Sequence, residues 1–304
     1  MKIVFMGSPD FAIPSLEKLY ESKHEVVSVL SNIDKRRGRG TDTSPTAVKA
    51  KALEYDLPVI GVENLNDESF AEQLKALEAD LFVVVAFRIL PKHILEIPEK
   101  GSVNLHASLL PKYRGAAPIH WAVINGEEKT GCSVFFLDEK VDTGSIIKQN
   151  ETQIGPNETT GDVYNRLKKI GSEVLLESIN EIEDGSYTLT PQDDSKATPA
   201  PKLFKEDCKI DFDNPARQIH NKIRGLSPFP TAWAELDDLK FNMYRSRVGS
   251  TNRLKPGQIG MQDDKMMAGT KDHDIILEEV QIQGKRKMSG KDFMNGYSGT
   301  GILH

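Results

Sequence analysis

Leu81-Phe82-Val83-Val84-Val85-Ala86-Phe87 is the longest apolar run in the chain. Seven residues fall far short of a membrane span, so the run belongs inside a folded core. With no polar residue to face water, residues 81–86 read as a strand covered on both faces, as central strands of parallel sheets are. Strand and helix patterns alternate ahead of it. Strands are expected over residues 3–6, 24–30 and 58–60, and helices over 13–20, 46–55 and 70–77. This alternation predicts an α/β domain with a Rossmann-like, doubly wound parallel sheet, which takes ligands at the carboxyl ends of its strands.

The first turn, Gly7-Ser8-Pro9-Asp10, joins a strand to a helix but lacks the second and third glycines of a dinucleotide fingerprint and any phosphate-binding lysine. It reads as a structural turn. Further along, helices are expected over 116–124 and 159–182 and a strand over 132–137. Thr159-x-x-Asp162 has the spacing of a capping box, and Val163, Leu167, Ile170, Val174, Ile179 and Ile182 form an inward stripe. Periodicity is then lost from Ser186 to Leu203, where Pro191, Pro199 and Pro201 indicate a stiff, exposed linker. Beyond it, Asn214-Pro215 opens a helix with Gly225 after its last turn. Short strands follow over 233–236, 239–247, 258–260 and 275–283, and Ser289-x-x-Asp292 caps a last helix. Many short strands with little helix suggest a small β-barrel. The expected organisation is a first domain over 1–185, a linker over 186–203 and a smaller second domain over 204–304.

The chain has 304 residues, 38% hydrophobic content and a net charge of −6. That length supports two cores, and the acidic balance excludes a broad, sequence-independent grip on nucleic acid while leaving room for a local basic patch. Residues 203–304 carry 16 Lys and Arg against 14 Asp and Glu, a net of +2, which leaves −8 for the remainder. Two cysteines make neither a disulfide scaffold nor a zinc site, and no ligand-spaced cluster implies a metal. With a strand directly after Met1 and no membrane-length segment, a cytoplasmic protein with no membrane partner is expected, and it is taken to act as a monomer.

Candidate chemistry lies in Val103-Asn104-Leu105-His106, which alternates like a strand and would place Asn104 and His106 on one face. An amide and an imidazole side by side can each donate a hydrogen bond to a carbonyl oxygen that gains charge, and the imidazole also carries a proton near neutral pH. Asp142, in the turn Asp142-Thr143-Gly144, is the carboxylate expected to orient His106. Two flanking loops could serve ligands, although their residues alone favour a solvated loop for the first and a core cap for the second. Asn32 to Thr41 holds Lys35, Arg36, Arg37 and Arg39 among glycines, and cations there can neutralise phosphates or simply remain solvated. Ala86-Phe87-Arg88-Ile89-Leu90-Pro91 can either wall a flat ligand or cap the core.

Asn104-Leu105-His106-Ala107-Ser108-Leu109-Leu110-Pro111, then Tyr113-Arg114-Gly115 and Asp142-Thr143-Gly144, resembles the signature of the folate-dependent formyltransferases. Met6 to Phe11, Gly38-Arg39-Gly40, Lys205-Glu206-Asp207, the segment Arg224-Gly225-Leu226-Ser227-Pro228-Phe229-Pro230 and Gly284 to Ser289 resemble the branch that formylates methionyl-tRNA. The resemblance spans the chain up to Tyr297. It implies that Asn104, His106 and Asp142 are catalytic and that 10-formyltetrahydrofolate is the formyl donor. Ser108, Leu109, Leu110 and Pro111 would then contact the folate, with Phe87, Ile89 and Leu90 lining the pterin pocket. It further implies that Arg36, Arg37 and Arg39 meet initiator methionyl-tRNA, that no metal takes part, and that the second domain is an OB-like tRNA-binding barrel. Two departures stand out. Thr41-Asp42-Thr43 replaces further lysines, and Arg88 stands alone where many members carry Gly-Gln, so that loop is expected to be one residue shorter. Sugar-amine formyltransferases and the hydrolase domain of formyltetrahydrofolate dehydrogenase share the same signature, and they stay open beside the tRNA reading. A non-catalytic nucleic-acid-binding barrel with a relic first domain is the remaining alternative, against which the intact Asn104, His106 and Asp142 speak.

Overall fold

The computed structural model describes residues 1–36, 43–299 and 301–304, with Lys35 and Arg36 described at the backbone only. The chain divides into two compact units. The first comprises Met1–Gly115, Gly131–Thr152 and Asn165–Pro199, and the second Ala116–Thr130, Gln153–Tyr164 and Ala200–His304.

The elements run β1 (Lys2–Gly7), α1 (Ile13–Tyr20), β2 (Glu25–Asn32), the two-residue pair β3 (Lys35–Arg36) and β4 (Thr43–Ser44), α2 (Ala47–Glu54), β5 (Val59–Val62) and α3 (Glu68–Lys75). They continue with β6 (Leu81–Val85), α4 (Lys92–Leu95), β7 (Ser102–His106), α5 (Pro118–Ile124), β8 (Lys129–Phe136), β9 (Ile146–Gln153) and α6 (Thr160–Asp184). In the first unit a seven-stranded sheet has the order β5-β2-β1-β6-β7-β8-β9. β5, β2, β1, β6 and β7 are mutually parallel, and β8 runs antiparallel to β7. The apolar run expected to be central is β6, flanked by β1 and β7, and all five of its residues are buried. Successive side chains point to opposite faces, so Phe82 and Val84 join Val4, Met6, Leu74 and Ile94 in one core layer.

β9 was not legible. Its sequence, Ile-Ile-Lys-Gln-Asn-Glu-Thr-Gln, is polar because an edge strand faces water. At the start of α6 the capping box forms as its spacing implies: the Thr159 N–H donates to Asp162 Oδ2 at 2.9 Å, and the Asp162 N–H donates to Thr159 Oγ1 at 3.2 Å.

The second unit holds α7 (Ala216–Gly225), β10 (Ala232–Leu236), β11 (Leu239–Val248), β12 (Ile259–Gln262), β13 (Lys265–Ala268), β14 (Ile275–Ile282), β15 (Met288–Ser289) and α8 (Gly290–Asn295). Its antiparallel sheet has the order β10-β11-β14-β13-β12, with β15 on β14. Ile302 and Leu303 complete it. Leu303 bridges Leu236 at the end of β10, and Ile302 bridges Gln258 beside β12, so the tail joins the two edges of the sheet into a barrel. Phe241, Met243, Leu277, Val280, Ile219 and Leu303 fill its core. Gly225 ends α7 from inside the helix and does not follow it. A Cβ there would collide with Ile124 of α5, so the glycine permits a close helix approach.

Candidate active site

β7 ends at His106, with its carboxyl terminus on the edge of the sheet where open α/β folds receive ligands. His106 is buried and Asn104, two residues earlier on the same strand face, is half-buried. No described residue forms a side-chain hydrogen bond with the Asn104 amide, which leaves its N–H groups available to a ligand.

The His106 ring is fixed from two sides. A carbonyl can only accept, so the 2.8 Å contact with the Tyr113 carbonyl assigns the proton to Nε2. In the neutral ring Nδ1 then carries the lone pair. It faces Asp142, whose Oδ2 lies 3.7 Å away. Asp142 is itself buried and accepts the Gly115 N–H on Oδ2 at 2.8 Å. Of the three residues expected to act together, His106 and Asp142 face each other, and Asn104 lies on the same strand face as His106 with no side-chain partner among the described residues.

The turn that brings Asp142 here is demanding. Asp142 has φ 55, in the left-handed region, and a Cβ on Gly144 would strike the Phe136 carbonyl, so only glycine fits that position. The residues from Ser108 onward are held by a buried hydroxyl that the sequence did not single out. Ser133 donates to the Ser108 carbonyl at 2.6 Å and accepts the Leu110 N–H at 3.1 Å, while Gln149 donates to Ser133 Oγ at 2.7 Å. The Ser108 hydroxyl is spent on the Lys112 carbonyl at 2.7 Å, and Leu110 is buried against Phe135 and Ile146.

On the neighbouring strap from Ala86 to Pro91, Phe87 and Leu90 turn into the core while Ile89 stays 72% exposed. Arg88 is the brace of this strap. Its Nε donates to Asn32 Oδ1 at 2.5 Å, Nη1 to the Glu63 carbonyl at 2.8 Å and Nη2 to the Val62 carbonyl at 2.7 Å. Asn32 in turn donates to Ser8 Oγ at 2.9 Å. One guanidinium therefore ties the segment after β6 to the carboxyl ends of β2 and β5. Of the three expected phosphate-binding cations, Arg37 and Arg39 lie outside the described residues, and Arg36 is placed only as a backbone position in β3.

Among the described residues, no group of three or more His, Cys, Asp or Glu side chains is placed to hold a metal, and no helix is long and apolar enough to cross a membrane.

The fold and this carboxyl-edge site define a class. Residues 1–179 match the model of the formyl transferase family, and residues 202–298 match that of the formyl transferase C-terminal domain. Relatives narrow the class further. The methionyl-tRNA formyltransferase of Alkaliphilus oremlandii is 42% identical over 299 residues, covering 97% of this chain and 96% of that protein. That of Clostridioides difficile is 39% identical over 299 residues, covering 97% of each. The chain therefore belongs to the methionyl-tRNA formyltransferase branch of the formyl transferase family and is an enzyme of one-carbon transfer. Among solved structures, WlaRD, a sugar 3N-formyl transferase determined with dTDP and 5-N-formyl-THF, superposes with a TM-score of 0.69 at 22% identity, over 94% of this chain and 99% of that one. HypX from Aquifex aeolicus in complex with tetrahydrofolic acid superposes with a TM-score of 0.67 at 16% identity, over all of this chain and 50% of its own. At those identities the likeness is one of fold.

Proposed function

We propose that this enzyme transfers the formyl group of 10-formyltetrahydrofolate to the α-amine of initiator methionyl-tRNA, giving N-formylmethionyl-tRNA for translation initiation. The acceptor is carried over from relatives of that name at 39–42% identity across nearly the whole chain, and the donor from the family and from folate-bound fold neighbours. The observation that carries the chemistry is the pairing of a tautomer-fixed His106 with Asp142, beside an Asn104 amide that has no side-chain partner among the described residues.

The neutral α-amine attacks the formyl carbon, forming a C–N bond and placing negative charge on the formyl oxygen. The Asn104 N–H groups donate to that oxygen, an interaction worth about 2.7 to 4 kcal/mol in other oxyanion sites. His106 Nδ1 takes the proton released by the amine, and the Asp142 carboxylate stabilises the imidazolium that results. His106 then gives the proton to N10 of the folate as the C–N10 bond breaks, which leaves tetrahydrofolate and the formylated amine. Atoms and charge balance without a metal.

In this reading Ser108, Leu109, Leu110 and Pro111 offer backbone and side chains to the folate, with Phe87, Ile89 and Leu90 as the second wall. Arg36, Arg37 and Arg39 take tRNA phosphates. The catalytic domain is assigned to 1–185, the linker to 186–203 and the OB-like tRNA-binding domain to 204–304. Replacing His106 with Ala tests the chemistry. Turnover is expected to fall at least 100-fold, as loss of general acid–base catalysis does, with tRNA affinity nearly unchanged. Wild-type turnover in that variant would refute the assignment.

A further inference from the structure

The segment between the two matched family regions does more than connect. Thr190 exchanges backbone hydrogen bonds with Ile146 at 2.8 and 2.9 Å, and Thr198 Oγ1 accepts the Tyr113 N–H at 2.9 Å. Between these anchors, Gln192 lies against the turn that carries Asp142. Its Nε2 donates to the Asp142 carbonyl at 2.9 Å and to the Gly144 carbonyl at 2.8 Å. Its Oε1 accepts from Arg114 Nε at 3.1 Å and Nη2 at 2.8 Å. Both amide hydrogens and both lone pairs are used, so the network fixes which end is oxygen and which nitrogen.

The arrangement has a definite mechanical result. Arg114 directly precedes Gly115, whose N–H holds the Asp142 carboxylate. Gln192 thus grips the backbone on both sides of Thr143 while it grips the neighbour of the residue that binds the side chain. Asp142 sits in the left-handed region, where the turn needs an external restraint to stay. Asn104 and His106 have no such dependence, since the β7 ladder sets their backbone.

We propose that Gln192 is a positioning residue for Asp142, setting the carboxylate at its working distance from His106. The inference rests on the reading of Asp142 as a catalytic partner of His106. It acts on turnover and not on binding, because Gln192 touches the turn and not the folate or tRNA surfaces assigned above.

Gln192→Glu is the discriminating change. It keeps the shape and the acceptor for Arg114, so a merely structural strap stays docked, but it removes both donors to the Asp142 and Gly144 carbonyls. Formyl transfer to methionyl-tRNA by the wild type and its loss in Asp142→Asn are the controls, and failure of either sinks the proposed function itself. With both in place, Gln192→Glu and Gln192→Ala are expected to lower kcat about 10- to 100-fold, the scale on which small misplacements of a catalytic group act. The KM values for folate and tRNA are expected to stay within about twofold. In an Asp142→Asn background the Gln192→Glu change is expected to cost nothing more, since coupled residues are non-additive. Wild-type kcat in Gln192→Glu, a rise in KM without a fall in kcat, or full additivity with Asp142→Asn would overturn the assignment.

Discussion

His106 Nδ1 and Asp142 Oδ2 face each other at 3.7 Å, while the same carboxylate oxygen accepts the Gly115 N–H at 2.8 Å. The separation is that of an ion pair and not of a hydrogen bond, which suits a carboxylate whose work is to stabilise an imidazolium that appears during turnover. Asp142→Asn keeps the shape and the Gly115 contact but removes the charge. Its kcat is expected to fall at least 100-fold with little change in either KM, read by steady-state kinetics. An Asn variant with wild-type turnover would show that the charge is not used.

Arg88 braces the strap that carries Phe87, Ile89 and Leu90 by three hydrogen bonds to Asn32, Val62 and Glu63. Arg88→Met removes all three, each a hydrogen bond from a charged donor worth about 1.5 to 3 kcal/mol net. The strap then loses its fixed position, and the folate KM is expected to rise several-fold with kcat nearly unchanged. An unaltered folate KM would mean that the strap does not wall the donor site.

The presence of β6 as a buried central strand and the strand end at His106 were legible, because an uninterrupted apolar run and a short alternation leave strong local signals, whereas Asn104, His106 and Asp142 stood out as a set only through their resemblance to the formyltransferase signature. Other features were not. β9 has the polarity of a loop, since only its pairing makes it a strand. Gln192 is one polar residue in an aperiodic stretch, and its partners Arg114 and Asp142 stand 78 and 50 residues away in the chain. Ser133 reads as one small residue of a strand, and its three hydrogen bonds to Ser108, Leu110 and Gln149 exist only once the fold forms. The tail carried no signal either, because Ile302 and Leu303 acquire meaning only as bridges between two sheet edges.

Leu303 is 3% exposed in the core of the second unit. Leu303→Ala is expected to cost about 2 to 5 kcal/mol of that unit's stability, the range for a buried leucine. Denaturant unfolding followed by the fluorescence of Trp233, on β10 beside the closure, reads this out. A change below about 0.5 kcal/mol would mean that the tail is not part of the core.

Burial lowers the pKa of His220, which sits between Ser246 Oγ at 3.0 Å and the Pro156 carbonyl at 2.9 Å. His24 and His120 are lowered by burial as well. The unfolded chain takes up protons near pH 6.5 while these folded imidazoles stay neutral. The unfolded state therefore binds more protons below 6.5, and stability is expected to fall as pH drops from about 6.5 towards the folded pKa values, with no further contribution below them. The unfolding midpoint of wild type at pH 7.5 should exceed that at pH 5.5, and His220→Gln should narrow the gap. An equal gap in that variant would remove His220 from the account.

The central claim is the identity of donor and acceptor, and a single assay addresses it. Wild-type enzyme is given 10-formyltetrahydrofolate with methionyl-tRNA, deacylated tRNA, free methionine or an amino-sugar nucleotide. The account predicts formyl transfer to methionyl-tRNA alone, with one tetrahydrofolate released per formyl group transferred. Formate release without transfer, or transfer to the sugar amine in place of methionyl-tRNA, would contradict it.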